Sequence, residues 1–290
     1  MFGPIEFILA GVLVGFCVGI TGVGGGSLMT PILISLFKIE PHIAIGTDLL
    51  YASISKFCGS IVHAKKLNIV WPIVIWLAIG SIPASFATSW VLEHYLSQST
   101  HYKAVLTMVL GFMLTLTGIS IVFRTQIEKF FDRFRNREQV NMESEQHALQ
   151  HKRFYIVIMG IVLGVFVTLS SVGAGAFGIM ALMIMFPNLP MIRIIGSDVV
   201  HAVLLTAVAG LSHMSSGNVD FTLLMWLLVG SIPAIIVGTL ISSRMPERLI
   251  RKILGITLFA LGINFMVNPI KAKPKPVETH QAAVIQQSHT

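Results

Sequence analysis

Long apolar runs separated by short polar loops set the pattern of this chain. Uninterrupted runs lie at about 43–63, 69–92, 102–123, 195–213, 221–241 and 252–268, and two more, about 5–37 and 154–187, are interrupted by glycine. A helix needs roughly 20 apolar residues to cross a hydrocarbon core of about 30 Å, so each uninterrupted run predicts one crossing. Backbone polar groups inside a bilayer must be satisfied within the protein, which makes these segments helices rather than the alternating strands of a barrel. The predicted fold class is all-α, a multi-pass integral membrane protein.

The pattern also repeats. GITGVGGGSLMTP from Gly19 returns as TLSSVGAGAFGIM from Thr168, IGTDLL from Ile45 as IGSDVV from Ile195, and IWLAIGSIPA from Ile75 as MWLLVGSIPA from Met225. His63 matches His213 and Asn68 matches Asn218, each 150 residues on, with the glycine motif at 149. This divides the chain into a first transmembrane repeat at 5–123, a charged cytoplasmic linker at 124–153, a second repeat at 154–268 and a disordered tail at 269–290. Within the linker, Ile127, Phe130, Phe131 and Phe134 fall on one face and allow a short helix.

Composition sharpens the class. Hydrophobic residues make up 54% of the chain and charged residues 11%, which excludes an ordinary soluble domain. The net charge of +7 does not point to nucleic acid, because the basic residues sit in loops between spans, as membrane topology requires. No Lys or Arg precedes the first apolar run, so that run lacks the basic start of a cleaved signal peptide and is expected to stay as a membrane segment. If each glycine-broken run contributes two pieces, 14 of the basic residues in loops and tail fall on the linker side and 5 on the other; with single crossings the division is 12 to 7. The first division favours repeats inserted in opposite senses. Lys271, Lys273 and Lys275 count against it.

Candidate chemistry collects at the glycine clusters. Glycine costs about 1 kcal/mol in a helix interior, so GVGGGS (Gly22–Ser27) and SVGAGA (Ser171–Ala176) should break their helices. Free amides at such a break suit an anion if they line a cavity. Thr21, Gly24, Gly25, Gly26 and Ser27 in the first cluster, and Ser170, Ser171, Gly173 and Gly175 in the second, are the candidate binding residues. The spaced glycines Gly11, Gly15, Gly19, Gly160 and Gly164 read as close helix packing.

Lys56 lies inside an apolar helix where its repeat mate is Thr206. A charge there costs about 3 kcal/mol on insertion scales, so it should face a cavity or a carboxylate, Asp48 being one candidate. Asp48 and Asp198, in IGTD and IGSD, either cap helix N-termini or carry a proton. His201, opposite Tyr51 of the first repeat, and the pair His63 and His213 can relay protons or make interfacial hydrogen bonds. Cys17 and Cys58 sit in apolar segments without CxxC spacing. No metal-ligand spacing, cofactor motif, P-loop lysine, GxSxG or HExxH is present, so neither a metal site, a cofactor nor an enzyme is expected.

The order GITGVGGGSLMTP, GTD, Lys56, His63, then SVGAG, GSD, His201, AGLSH and GNVD resembles the TauE/SafE family of sulfite and organosulfonate exporters. The resemblance covers nearly the whole chain apart from linker and tail. It implies a multi-pass protein of the bacterial inner membrane that exports a small sulfur-containing or organic anion, with Gly24, Gly25, Gly26, Ser27, Lys56, Gly173 and Gly175 at the anion and Asp48, Asp198 or His201 handling a coupled proton. Two departures stand out within the repeats: Ala174 replaces the middle glycine, Gly25, and Met180 stands where the first copy has Pro31 in the motif alignment. The expected partners are the anion and the bilayer, with no nucleic acid and the oligomeric state left open. A passive anion channel, a divalent metal transporter and a membrane assembly protein are the competing readings.

Overall fold

The computed structural model describes residues 3–21, 26–65, 68–96, 102–134, 142–241 and 247–270. Ten α-helices run in order among the described residues: α1 Pro4–Thr21, α2 Gly26–Ser35, α3 Pro41–Lys65, α4 Trp71–Val91, α5 Tyr102–Phe134, α6 Met142–Ser170, α7 Ala176–Met185, α8 Met191–Ser215, α9 Phe221–Ile241 and α10 Glu247–Val267. A π-helical turn, Leu92–Leu96, extends α4. No strand occurs among the described residues. Among the described residues, seven helices are long and apolar enough to cross a membrane.

The sequence duplication becomes a duplication of elements. The bounds of α2, α3 and α4 recur in α7, α8 and α9 exactly one repeat later, 26 becoming 176, 41 becoming 191 and 71 becoming 221. Both glycine-broken runs resolve into a long helix followed by a ten-residue one, α1 with α2 and α6 with α7. The charged segment is largely helical, since α5 continues through Arg124 to Phe134 and α6 begins at Met142.

Packing exchanges the halves. Helix α1 lies on α9 of the other half and α6 lies on α4, with matching contacts. Gly11 meets Leu227 as Gly160 meets Leu77, and Gly15 meets Ser231 as Gly164 meets Ser81. A Cβ on Gly15 would stand 2.5 Å from the Ser231 carbonyl oxygen, so only glycine permits this backbone approach. Helices α5 and α10 share LGxxLxxxGI from Leu110 and from Leu254. They cross antiparallel, Gly111 against Gly262 and Gly118 against Gly255.

At the centre α3 and α8 also run antiparallel. Gly46 abuts His213, Gly210 abuts Leu50, and the Ser53 hydroxyl reaches the carbonyl of Val203, its own repeat mate, at 3.4 Å. The repeat mates Ser53 and Val203 therefore face each other where α3 and α8 cross. Thr47 and Ser197, the middle residues of GTD and GSD, fasten the halves reciprocally: Val70 N–H donates to Ser197 Oγ at 2.8 Å and Asp220 N–H to Thr47 Oγ1 at 3.0 Å. The apolar side chains left exposed, such as Leu9, Leu13, Ile75, Ile79 and Ile236, lie on the peripheral helices, where lipid is their solvent.

Candidate substrate site

The second glycine break forms the floor of the site. Helix α6 ends at Ser170, and Ser171 takes φ 58°, followed by Gly173 at 117° and Gly175 at 133° before α7 begins. The two glycines occupy backbone that side-chain-bearing residues avoid. Ser170 Oγ accepts from Val172 N–H at 3.2 Å, and Gly178 N–H donates to the Gly173 carbonyl at 3.1 Å, so part of the broken ladder is re-satisfied locally. A Cβ on Gly173 would stand 2.5 Å from Met113 Cε, and Met113 is midway along the Tyr102–Arg124 span. The break thus sits at the middle depth of the bundle.

Lys56 reaches this break. Its Nζ donates to the Ala174 carbonyl at 2.8 Å, and the residue is 8% exposed. Among the described residues no carboxylate lies within 4 Å of it, so Lys56 forms no close ion pair with Asp48. Of the nearby negative charges Asp198 acts on it most strongly and Asp48 second.

The two acids are fully buried and sit at the eighth residue of α3 and of α8. Neither therefore caps its own helix, which corrects the capping alternative: both helices start a full two turns earlier, at Pro41 and Met191. Asp48 Oδ2 instead accepts from Thr30 of α2, from N–H at 3.1 Å and from the hydroxyl. Asp48 also faces the Ser171 hydroxyl across the break. Asp198 has no such clamp. The mate of Thr30, 150 residues on, is Met180, and both carboxylate oxygens of Asp198 are buried without a hydrogen-bond partner. Its Oδ1 occupies space that a Cβ on Gly178 would fill. Arg124, assigned from sequence to the linker, is buried and acts electrostatically on Asp198.

The histidines divide. His201 Nε2 meets Ser81 Oγ at 2.9 Å, while its mate Tyr51 turns its hydroxyl toward Ser231, the mate of Ser81. His213 donates from Nε2 to the Thr168 carbonyl at 3.0 Å, behind the second break. The His63 side chain, Gly24 and Gly25 lie outside the described residues. At the first break, Gly26 opens α2, Ser27 is buried, and Thr21 bonds the Cys17 carbonyl while its own carbonyl accepts from Arg251 at 3.1 Å. The structure therefore gathers Lys56, Asp48, Asp198, Ser171, Gly173 and Gly175, and leaves Thr21 with Arg251. Sequence reasoning missed Thr30, Gly178 and Arg124. Thr30 pairs with Met180 only in the register of the helices, 150 residues apart, because the glycine motif at 149 sets Met180 against Pro31; nothing in the sequence marked the depth of Arg124.

The family model for the sulfite exporter TauE/SafE matches residues 7–265. The chain belongs to this family. Within it, the chain is 36% identical over 262 residues to YjnA of Bacillus subtilis, a probable membrane transporter protein, covering 90% of this chain and 99% of that one. It is 28% identical to YdhB of the same organism, across 88% and 97% of the two chains. A probable membrane transporter protein of Methanocaldococcus jannaschii is 24% identical over 87% of this chain and 92% of its own. No solved structure matches. Membership in this family, with seven apolar helices long enough to span, makes this a multi-pass membrane protein of a transporter family.

Proposed function

We propose that the protein is a secondary transporter of the bacterial inner membrane that exports a small sulfur-containing or organic anion together with a proton, its halves inserted in opposite senses. The observation that carries this reading is the Lys56 ammonium resting on the Ala174 carbonyl in a glycine break at mid-depth. A weakly held cation beside loosened backbone can exchange a carbonyl for an anion. The break supplies further donors because residues at a helix start have N–H groups without intrahelical partners.

Charge balance supports coupling. Asp48, Asp198, Lys56 and Arg124 are buried together and sum to zero when all are ionised. A monoanion added at Lys56 would leave one uncompensated charge in a low-dielectric interior, which costs several kcal/mol. One proton taken by a carboxylate removes that cost, and the reading assigns it to Asp198, whose oxygens accept no hydrogen bond, rather than to Asp48, which Thr30 holds. An alternating-access cycle then carries anion and proton together, which is transport rather than catalysis and uses no cofactor.

Purified protein in liposomes, tested against sulfite, thiosulfate, sulfonates and small carboxylates with and without an imposed pH gradient, checks this. Saturable flux of one anion class, driven by the gradient, is expected. Flux that neither saturates nor responds to the gradient would instead fit a passive channel.

A further inference from the structure

At the end of the bundle opposite the Arg124–Arg153 segment lies a cavity of about 320 Å³. It forms where the first turns of α3 and α5 meet the last turns of α4 and α8, and its wall includes His42, Ser89, Glu93, Lys103, His213 and Asn218. Three of the wall residues each carry one buried atom without a hydrogen-bond partner, His42 Nδ1, Ser89 Oγ and His213 Nδ1. Each such atom costs about 1–3 kcal/mol unless something in the cavity satisfies it. The volume has room for roughly ten water-sized groups.

His213 specifies what that occupant must offer. The ring is 2% exposed, and its Nε2 is bonded to the Thr168 carbonyl, which can only accept. The hydrogen therefore sits on Nε2, and in the neutral ring Nδ1 is left as an acceptor that needs a donor. The opposite requirement comes from the Ser89 hydroxyl and the Lys103 ammonium, the latter already donating to Glu40 Oε1 at 2.6 Å. These suit an anionic group. Thr168 stands three residues before Ser171, so His213 ties the cavity wall to the end of the helix that leads into the second glycine break.

We propose that this cavity is a second subsite for the transported anion, on the face opposite the charged segment, selective for small anions that carry their own O–H or N–H donor. It rests on the transport reading above. The anionic group of the ligand takes donors from Ser89 and Lys103, and its hydroxyl or ammonium donates to His213 Nδ1. His213 is a binding residue here and also anchors the chain that leads into the break.

Calorimetric titration of the purified full-length protein with isethionate and with ethanesulfonate, which share charge and differ by one hydroxyl, tests the donor requirement; glycolate and acetate form the matching carboxylate pair. In at least one pair the hydroxylated member should bind about tenfold tighter or better, since a site built to bond a hydroxyl rejects the analogue lacking it. His213→Gln can replace the Nε2–H toward Thr168 but carries no heteroatom on Cγ, and should reduce the preference to within about twofold. Ser89→Ala should weaken both members of the pair alike, which a folding defect confined to His213 would not reproduce. Lys56→Met should retain the preference in binding while losing flux. Equal binding within both pairs, no binding of either, or a preference that disappears in Lys56→Met would overturn the subsite. Flux that survives Lys56→Met contradicts the central site instead, and leaves the cavity to be judged by the titration.

Discussion

Asp48 and Asp198 occupy equivalent positions on antiparallel helices, yet one is clamped and the other is free. Asp48 accepts two hydrogen bonds from Thr30 of the neighbouring short helix, whereas Asp198 faces Gly178, and the residue 150 positions on from Thr30 is Met180, which has no hydroxyl to offer. The lesson is how a duplicated scaffold becomes functionally unequal. The same backbone position holds a hydrogen-bonded carboxylate in one half and one without hydrogen-bond donors in the other. Lys56, which has no counterpart in the second half, adds its charge closest in effect to Asp198, the carboxylate without hydrogen-bond donors.

Breaking that comparison should produce graded effects. The largest belongs to Asp198→Asn, which removes that carboxylate: anion flux in liposomes should lose its dependence on the pH gradient, while Asp48→Asn should retain it. Equal uncoupling by both variants would mean the two acids share the role. Next comes Gly178→Ala, whose new Cβ overlaps Asp198 Oδ1. Overpacking of this kind costs about 1–3 kcal/mol, read as a lowered melting temperature in detergent, and the displaced carboxylate should slow transport as well.

Thr30→Val is expected to cost about 1–2 kcal/mol by removing the hydroxyl bond to the buried Asp48, while the backbone N–H still donates. The complementary Met180→Thr gives the second half the missing hydroxyl and should slow pH-driven flux with little change in melting temperature. The smallest effect is at the loop before α3. Glu40, whose repeat mate is Pro190, holds Lys103, and that hydrogen bond keeps its carboxyl below the ordinary 4.5. A depressed carboxyl stabilises the fold above its unfolded value and loses that contribution as pH falls through the folded one. The pair is exposed, so Glu40→Gln should cost only about 0.5 kcal/mol at neutral pH, and the difference from wild type should vanish in melting curves taken below about pH 4.

Much of this was legible in the sequence because duplication is a local pattern. The offset fixed which helices are equivalent, the glycine clusters marked both breaks, and Lys56 against Thr206 marked the place where symmetry fails. What the sequence did not disclose depends on contacts between distant segments. GTD and GSD read as sites for their acids, but Thr47 and Ser197 turn out to tie each half to the next helix of the other. Asp48 was open to reading as an N-cap as well as a proton carrier; the helix starts seven residues earlier, at Pro41, which leaves capping out. Arg124 read as linker because charge in a sequence carries no depth, whereas α5 continues past it and buries it near Asp198.

The central claim is that Lys56 and the second glycine break hold the transported anion. Anion flux into or out of liposomes carrying Lys56→Met, compared with wild type at equal reconstituted amounts and with the melting temperature as a check on folding, tests it most directly. The account predicts a folded protein whose flux falls by about 100-fold or more, as expected when a buried charged partner worth about 3 kcal/mol is removed. A folded Lys56→Met protein that transports at the wild-type rate would contradict it.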